Sequence, residues 1–362
     1  MLRLILSPSV GGTAGYLYDA VAALASSGGE AVLIVPEQYS FAAERIVLER
    51  LGTADAQRVE VLSFTRLANT VFNSVGWDKG KRLNEAGKIL LMSRALEQCA
   101  DKLTVYARSA DSPAVVRELL VLSEEFCQCA ISSEDIVSAM NNMEEGLLKD
   151  KLGDISLVFS VYDSFVSDGW LDDSRMLTRL KDKLAESGYF KNKTVFFDSF
   201  RGFTAQEFGI IGKILTQADD VCVALNAPDL TDVGSDDIFY HTKNTAKKLI
   251  KIANSVDVPC AKPVTVNEPN SDAALDALAK DFLSPEADVF EGECGSIAVV
   301  AAPDIRSECA FIAAQIKKML RTGEYRSRDI AVIVRDDKSY IRPMMTALAK
   351  CGVPVFEDRR QP

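Results

Sequence analysis

Over residues 1–78, short apolar runs of strand length alternate with stretches of helical spacing. Residues 2–6 (LRLIL), 31–35 (AVLIV) and 59–63 (VEVLS) are continuous apolar or near-apolar segments, the kind buried on both faces of a parallel sheet. Between and after them, residues 16–24, 41–51 and 67–75 place apolar side chains three and four apart, with Leu17, Val21 and Leu24 on one face of the first. The pattern predicts β-α-β-α-β-α, a parallel sheet with helices packed on it. Ser40 is expected to cap the second helix, with Glu44 near the position of a capping box.

The rhythm stops at Lys79. From there to Gly188 only helical patterns are found, at 84–100, 114–128, 133–143, 147–168 and 174–187, so a helical subdomain is inserted. Strand patterns return at 194–198 (TVFFD) and 220–225, with helices at 205–216 and 241–253. Residues 262–295 are polar and carry prolines and scattered acids, which suggests a linker or excursion. Strands at 296–301, 329–334 and 353–356 and helices at 305–321 and 338–351 then predict the start of a second α/β domain. The expected division is 1–78 and 190–260 for the first α/β domain, 79–189 for the insertion, 261–295 for the linker and 296–362 for the second domain. A sheet of three parallel strands is incomplete, so the chain is expected to be a piece of a longer protein.

Composition narrows the class. A chain of 362 residues with 48% apolar and 26% charged residues has room for two or three ordinary globular domains. No apolar run reaches the roughly 18 residues that span a bilayer, and no signal-peptide pattern precedes the first strand. The net charge of −11 argues against a simple nucleic-acid coat, although a local basic groove remains compatible with it. None of the eight cysteines forms C-x-x-C, which predicts buried free thiols in a reducing cytoplasm and no metal site.

Candidate chemistry gathers at strand ends. Residues 7–15 (SPSVGGTAG) join the first strand to the first helix in the layout of a phosphate-binding P-loop. That motif, G-x-x-x-x-G-K-[ST], needs a lysine, and none occurs before Lys79. Asp198 ends a buried strand where a P-loop enzyme holds magnesium, but the next residue is Ser199. Gly11, Gly12, Thr13 and Asp198 are therefore a degenerate nucleotide site at most. Loops at Tyr39 and Ser40 and at Phe64, Thr65 and Arg66 also follow strands, where polar and aromatic groups can meet a nucleic-acid strand or simply form turns and caps. Lys79, Lys81, Arg82 and Lys88, with Lys243, Lys247, Lys248 and Lys251, either line a groove or form solvated faces. His241 is the only histidine, which rules out a polyhistidine metal site within the chain and suits a surface or capping role.

Five strings, at 2–23, 33–52 (LIVPEQYSFAAERIVLERLG), 59–72 (VEVLSFTRLANTVF), 195–207 (VFFDSFRGFTAQE) and 329–358, resemble the N-terminal half of the B subunit of the bacterial AddAB helicase–nuclease, in the family's order. VPEQYSF and SFTRLA carry most of the specificity. The resemblance implies a P-loop NTPase fold of superfamily 1 helicase type with an all-helical insertion. It also implies a heterodimer with the A subunit, a DNA strand guided by a subunit that hydrolyses no ATP, and an iron–sulphur nuclease lying outside this chain. Under it, Thr13 stands for the P-loop lysine, Ala14 for the magnesium-binding hydroxyl, Ser199 for the glutamate and His241 for an arginine that contacts the γ-phosphate. Losing those groups removes the charge stabilisation that phosphoryl transfer depends on. No cofactor is then expected. Single-stranded DNA is the expected ligand, contacted through Tyr39, Ser40, Phe64, Thr65 and Arg66. Two other readings stay open: a divergent nucleotide-binding enzyme using Gly11, Gly12, Thr13 and Asp198, and a structural interaction module that touches no DNA.

Overall fold

The computed structural model describes residues 1–9, 12–77, 80–267, 272–282 and 288–357. They form two compact units, residues 1–268 and 269–362.

The first unit is built on a six-stranded, wholly parallel sheet of β1 (Leu2–Ser7), β2 (Glu30–Ile34), β3 (Val59–Leu62), β6 (Lys193–Phe197), β7 (Asp220–Asn226) and β8 (Val264–Thr265) in the order β3-β2-β6-β7-β1-β8. The period of two in each strand divides its side chains between two cores. Leu2, Leu4, Leu6, Val32, Ile34, Val195, Phe197, Val221 and Val223 face one side, and Ile5, Ala31, Leu33, Phe196, Cys222 and Ala224 face the other. On the second side pack α1 (Ala14–Ser26) and α2 (Ser40–Ala56), through Leu17, Val21, Ala43 and Val47. On the first pack α3 (Phe64–Val75) and, beyond the insertion, three further helices described below. The apolar runs are thus buried on both faces, as their composition predicts.

Between α3 and β6 lie β4 (Lys81–Arg82), α4 (Glu85–Cys99), α5 (Pro113–Gln128), α6 (Ser133–Asn141), α7 (Leu147–Ser167), β5 (Trp170–Leu171) and α8 (Met176–Ser187). Met92, Leu96, Leu119, Val158 and Tyr162 centre a separate hydrophobic core in α4, α5 and α7. Ser132 caps α6 in a capping box with Asp135, and Pro113 opens α5 at the position where a missing N–H costs nothing. Two features differ from the pattern expected for this segment. β4 and β5 pair in parallel over two residues each, too short to leave a periodic signal. The α8 helix buries Leu180 and Leu184 in the sheet's core beside α3, so its apolar stripe belongs with the sheet.

The remaining sheet-side helices are α9 (Ala205–Gln217), set by a Thr204–Glu207 capping box, and α10 (Tyr240–Ser255). The second unit holds α11 (Ala273–Asp281), α12 (Ile305–Thr322) and α13 (Asp337–Cys351), with Cys309, Ala313, Met344 and Leu348 between the last two. The strands expected at 296–301, 329–334 and 353–356 are not formed. Those strings run without ladder partners, and Val299, Ile333 and Phe356 are almost fully exposed. An apolar run becomes a strand only when a neighbour takes its backbone groups. Within residues 262–295, expected to be a linker, part of the chain is ordered: Ile5 and Leu6 pair with Val264 and Thr265, and Asp272 caps α11.

Free thiols are found throughout, but burial is only partial. Cys99, Cys222 and Cys309 are buried, whereas Cys129, Cys260 and Cys294 are exposed. Burial pushes the Cys222 thiol up to about 11, so it stays protonated and inert. No group of metal-ligating side chains comes together among the described residues.

Candidate functional site

The β2 and β6 strands are neighbours, yet the helices that follow them lie on opposite faces of the sheet, α2 with one core and α9 with the other. Their connections leave in opposite directions. In a parallel α/β sheet that divergence opens a crevice above the carboxyl ends of the strands. The Asp198 N–H donates to the Ile34 carbonyl at 3.1 Å and fixes the end of β6 against the end of β2. Asp198 and the 36–40 loop therefore flank the crevice, and the loop after β3, the next strand out, lies beyond the 36–40 loop on the same side.

The rim residues are placed unequally. Tyr39 closes a short 3-10 turn, Glu37–Tyr39, and is 41% exposed. Ser40 has helical backbone angles and lies inside α2, so it does not cap that helix as expected. The 3-10 turn runs straight into the helix and leaves no extended residue to serve as cap. The Ser40 hydroxyl is buried and has no hydrogen-bond partner. Glu44, freed from a capping role, reaches across to Arg66 at 2.5 Å. Ser63, extended and accepting from the Arg66 N–H at 3.2 Å, is the cap of α3. Thr65 is exposed. Phe64 is 6% exposed and packs against Phe197, Phe200 and Phe203, so it offers no free ring face and instead supports the loop from below.

The aromatic floor is the part that sequence reading missed. Phe200 and Phe203 stack at 4.8 Å between centroids, and Phe208 extends the cluster. The signal was present as F-x-x-F at 200–203. Phe41, beside Ser40, is 77% exposed, an apolar ring left in solvent on this same rim.

The described residues of the P-loop corner are engaged with one another. Gly11 lies outside the described residues. The Ser9 N–H donates to the Ser7 hydroxyl at 3.3 Å, and the Gly12 N–H to the Ser9 carbonyl at 3.1 Å. Two backbone donors of the kind that cradle phosphate are therefore already used. A methyl group at Gly12 would lie 2.3 Å from both the Ser7 and the Ser9 hydroxyl oxygens, so the loop is filled by its own side chains. Thr13 is buried and makes no side-chain cap to α1.

Asp198 is buried, which raises its carboxyl above the ordinary carboxylate range, although donors from Ser199 and the Tyr18 hydroxyl pull the other way. Tyr18 is raised in turn, first by burial and then by the Asp198 charge. Its hydroxyl stops short of a well-formed hydrogen bond, yet the two groups still act on each other's protons. Ser199 adopts a left-handed φ of 64°. Such a turn is strained for serine and carries Phe200 back toward the core.

The basic residues do not assemble into an open groove. Lys243 is buried against Asp229 at 2.9 Å, Lys247 pairs with Asp232, and Lys88 pairs with Glu124 and Asp172. Arg82 lies over Trp77 and Lys248 over Phe208. Lys79 lies outside the described residues. His241 is exposed at the start of α10, its ring 5.5 Å from that of Tyr240.

Residues 4–279 match the family model described as ADDB, N-terminal. The chain belongs to the AddB N-terminal family. An AddB relative from Caldanaerobacter subterraneus subsp. tengcongensis, named as the B subunit of an ATP-dependent helicase/deoxyribonuclease, is 30% identical over 335 residues, covering 90% of this chain and 29% of the relative. A second of the same name, from Clostridium novyi, is also 30% identical and covers 91% of this chain. A third, from Clostridium acetobutylicum, is 28% identical over 99% of the chain and 32% of its own length. The chain thus spans about a third of the length of these AddB relatives.

Proposed function

We propose that this AddB-family chain is a helicase-like subunit that guides DNA without hydrolysing ATP, as part of a helicase–nuclease that processes DNA ends for recombination and repair. Its sheet unit corresponds to a superfamily 1, P-loop NTPase-type domain assembled from residues 1–78 and 190–260. The segment 79–189 supplies its inserted helical subdomain apart from α8, which packs with the sheet; 261–295 is a linker whose β8 joins that sheet, and 296–362 the beginning of a second motor-like domain. An A subunit supplies the motor in a cytoplasmic heterodimer. Consistent with a cytoplasmic place, no helix among the described residues is long and apolar enough to cross a membrane.

One observation carries this reading. The loops at the carboxyl ends of β2 and β3 present Tyr39, Thr65 and the half-exposed Arg66 at the surface, while at the neighbouring phosphate corner the Ser7 and Ser9 hydroxyls pack against Gly12. Single-stranded DNA fits such a rim, because an aromatic face stacks on any base and a guanidinium meets phosphate. Tyr39, Thr65 and Arg66 are the proposed contacts, with buried Ser40 and Phe64 forming the floor beneath them. Gly11, Gly12, Thr13 and Asp198 remain as a vestigial corner.

Titration of a labelled single-stranded oligonucleotide at several salt concentrations tests the DNA contact, since phosphate contacts make affinity fall with salt. No binding would leave the chain a purely structural module, and salt-independent binding would rule out the phosphate contact of Arg66. Calorimetry with Mg-ATP tests the corner, where a micromolar dissociation constant would overturn its reading as a vestige.

A further inference from the structure

The helical insertion and the sheet have separate hydrophobic cores that share no residue. The chain enters the insertion through β4 and leaves it through β5, and these two strands hold each other. The Lys81 N–H donates to the Gly169 carbonyl and the Leu83 N–H to the Leu171 carbonyl, both at 2.9 Å. After β5 the chain passes Asp172 and Arg175 and enters α8, which is packed in the sheet's core.

Charge is concentrated at this root. Lys88 of α4 is 9% exposed and Asp172 only 2%, with Lys88 Nζ 3.1 Å from Asp172 and 2.7 Å from Glu124 of α5. Arg175 pairs with Asp163 of α7, and the Arg179 guanidinium of α8 donates to the Asp172 carbonyl at 2.7 Å. Two ion pairs therefore fasten the helical insertion to the strap that leads into the sheet. Burying such charges is costly unless each keeps its partner, so the pairs specify a position more than they add stability.

The hub is also incompletely satisfied. The Tyr162 hydroxyl is buried without a hydrogen-bond partner, and so is Arg175 Nε, with the Arg175 guanidinium 6.0 Å from the Tyr162 ring centre. Orphan polar atoms in a buried network are uncommon, and a second arrangement that gives them partners is one explanation for them.

We propose that the helical insertion swings as one body when the β4–β5 ladder at its root opens, and that the Lys88–Asp172 and Arg175–Asp163 pairs are the catch that keeps the ladder closed in the position seen here. The insertion has the internal rigidity this requires. The Asp154 carboxylate of α7 accepts the Thr104, Val105 and Tyr106 N–H groups, which pins the 104–106 turn to the bundle.

Amide hydrogen exchange of the whole chain tests this. In Lys88→Met, the amides of Lys81 and Leu83 are expected to exchange at least tenfold faster, while those of β6, β7 and α7 keep wild-type rates. Asp163→Asn, altered at the half-exposed end of the other pair, should give the same pattern. The double variant Lys88→Met with Asp172→Asn should stay fast, because the catch is absent although no unpaired buried charge remains, Glu124 being half-exposed. Unchanged ladder amides in Lys88→Met and Asp163→Asn would overturn the proposal. So would acceleration spread through α4, α5 and α7, or a return to wild-type rates in the double variant.

Discussion

The Arg66 guanidinium lies 2.5 Å from the Glu44 carboxylate, so the loop after β3 is tied to the helix after β2 by one half-exposed ion pair. Arg66 cannot give its full charge to a phosphate while it holds Glu44. Glu44→Gln is expected to strengthen binding of single-stranded DNA roughly two-fold, since an exposed pair of this kind is worth about 0.5 kcal/mol. Arg66→Ala should weaken binding to all sequences alike and reduce the slope of log affinity against log salt by about 0.7. Fluorescence anisotropy at several salt concentrations measures both.

Restoring the missing P-loop side chains should not restore the site. In the double substitution Thr13→Lys and Ala14→Thr, the Ser7 and Ser9 hydroxyls still fill the loop, and the Ser9 and Gly12 N–H groups are still engaged. Calorimetry with Mg-ATP is expected to show no binding below the millimolar range. Gly12→Ala, by contrast, should cost about 1–3 kcal/mol of stability through overpacking, read from the urea midpoint.

Asp154 holds three consecutive backbone N–H groups, at 2.9 Å from Thr104, 2.7 Å from Val105 and 2.9 Å from Tyr106. Asp154→Ala leaves all three without their acceptor. Hydrogen bonds to a charged group are worth about 1.5–3 kcal/mol each, so a loss of about 3 kcal/mol or more is expected in urea unfolding of the insertion.

Asp198 predicts a dependence on pH. Burial raises its folded-state pKa above the unfolded value, so the folded chain binds that proton more tightly than the unfolded chain does. Its contribution to stability is therefore greatest in acid and declines as pH rises from about 4, the unfolded value, through the folded one. Asp198→Asn removes this decline. The variant should unfold at a higher urea concentration than wild type at pH 7, and at a similar one below about pH 4.

The strands of the first unit were legible because parallel strands buried on two faces are almost wholly apolar, as in residues 31–35. The same signature at 296–301 and 329–334 misled, since it records a tendency and does not supply the neighbour a strand needs. The positions of Tyr39 and Arg66 just past strand ends could be read because both follow apolar runs, where the carboxyl ends of strands gather. The partner of Arg66 could not be, since Glu44 fits a capping box equally well and only the 3-10 turn before Ser40 denies it that role. Phe64 illustrates a further limit. An aromatic at a loop start suits a floor as well as a platform, and only the packing of Phe197, Phe200 and Phe203 distinguishes the two.

The strand order also sets a timetable for synthesis. Among the described residues, β1 is hydrogen-bonded along its edges to β7, to β8 and to residues 259–261, all of which emerge after the whole insertion. The β2 and β3 strands can pair early, but β2 gains its other neighbour only with β6. The helical core spans residues 83–166 and closes on its own contacts. Local contacts form faster than distant ones, so the insertion folds on the ribosome while the sheet it interrupts is still half made. Until Asp220–Asn226 arrives, Leu2–Ser7 is an apolar strand with both edges bare, the stretch a chaperone would have most reason to hold.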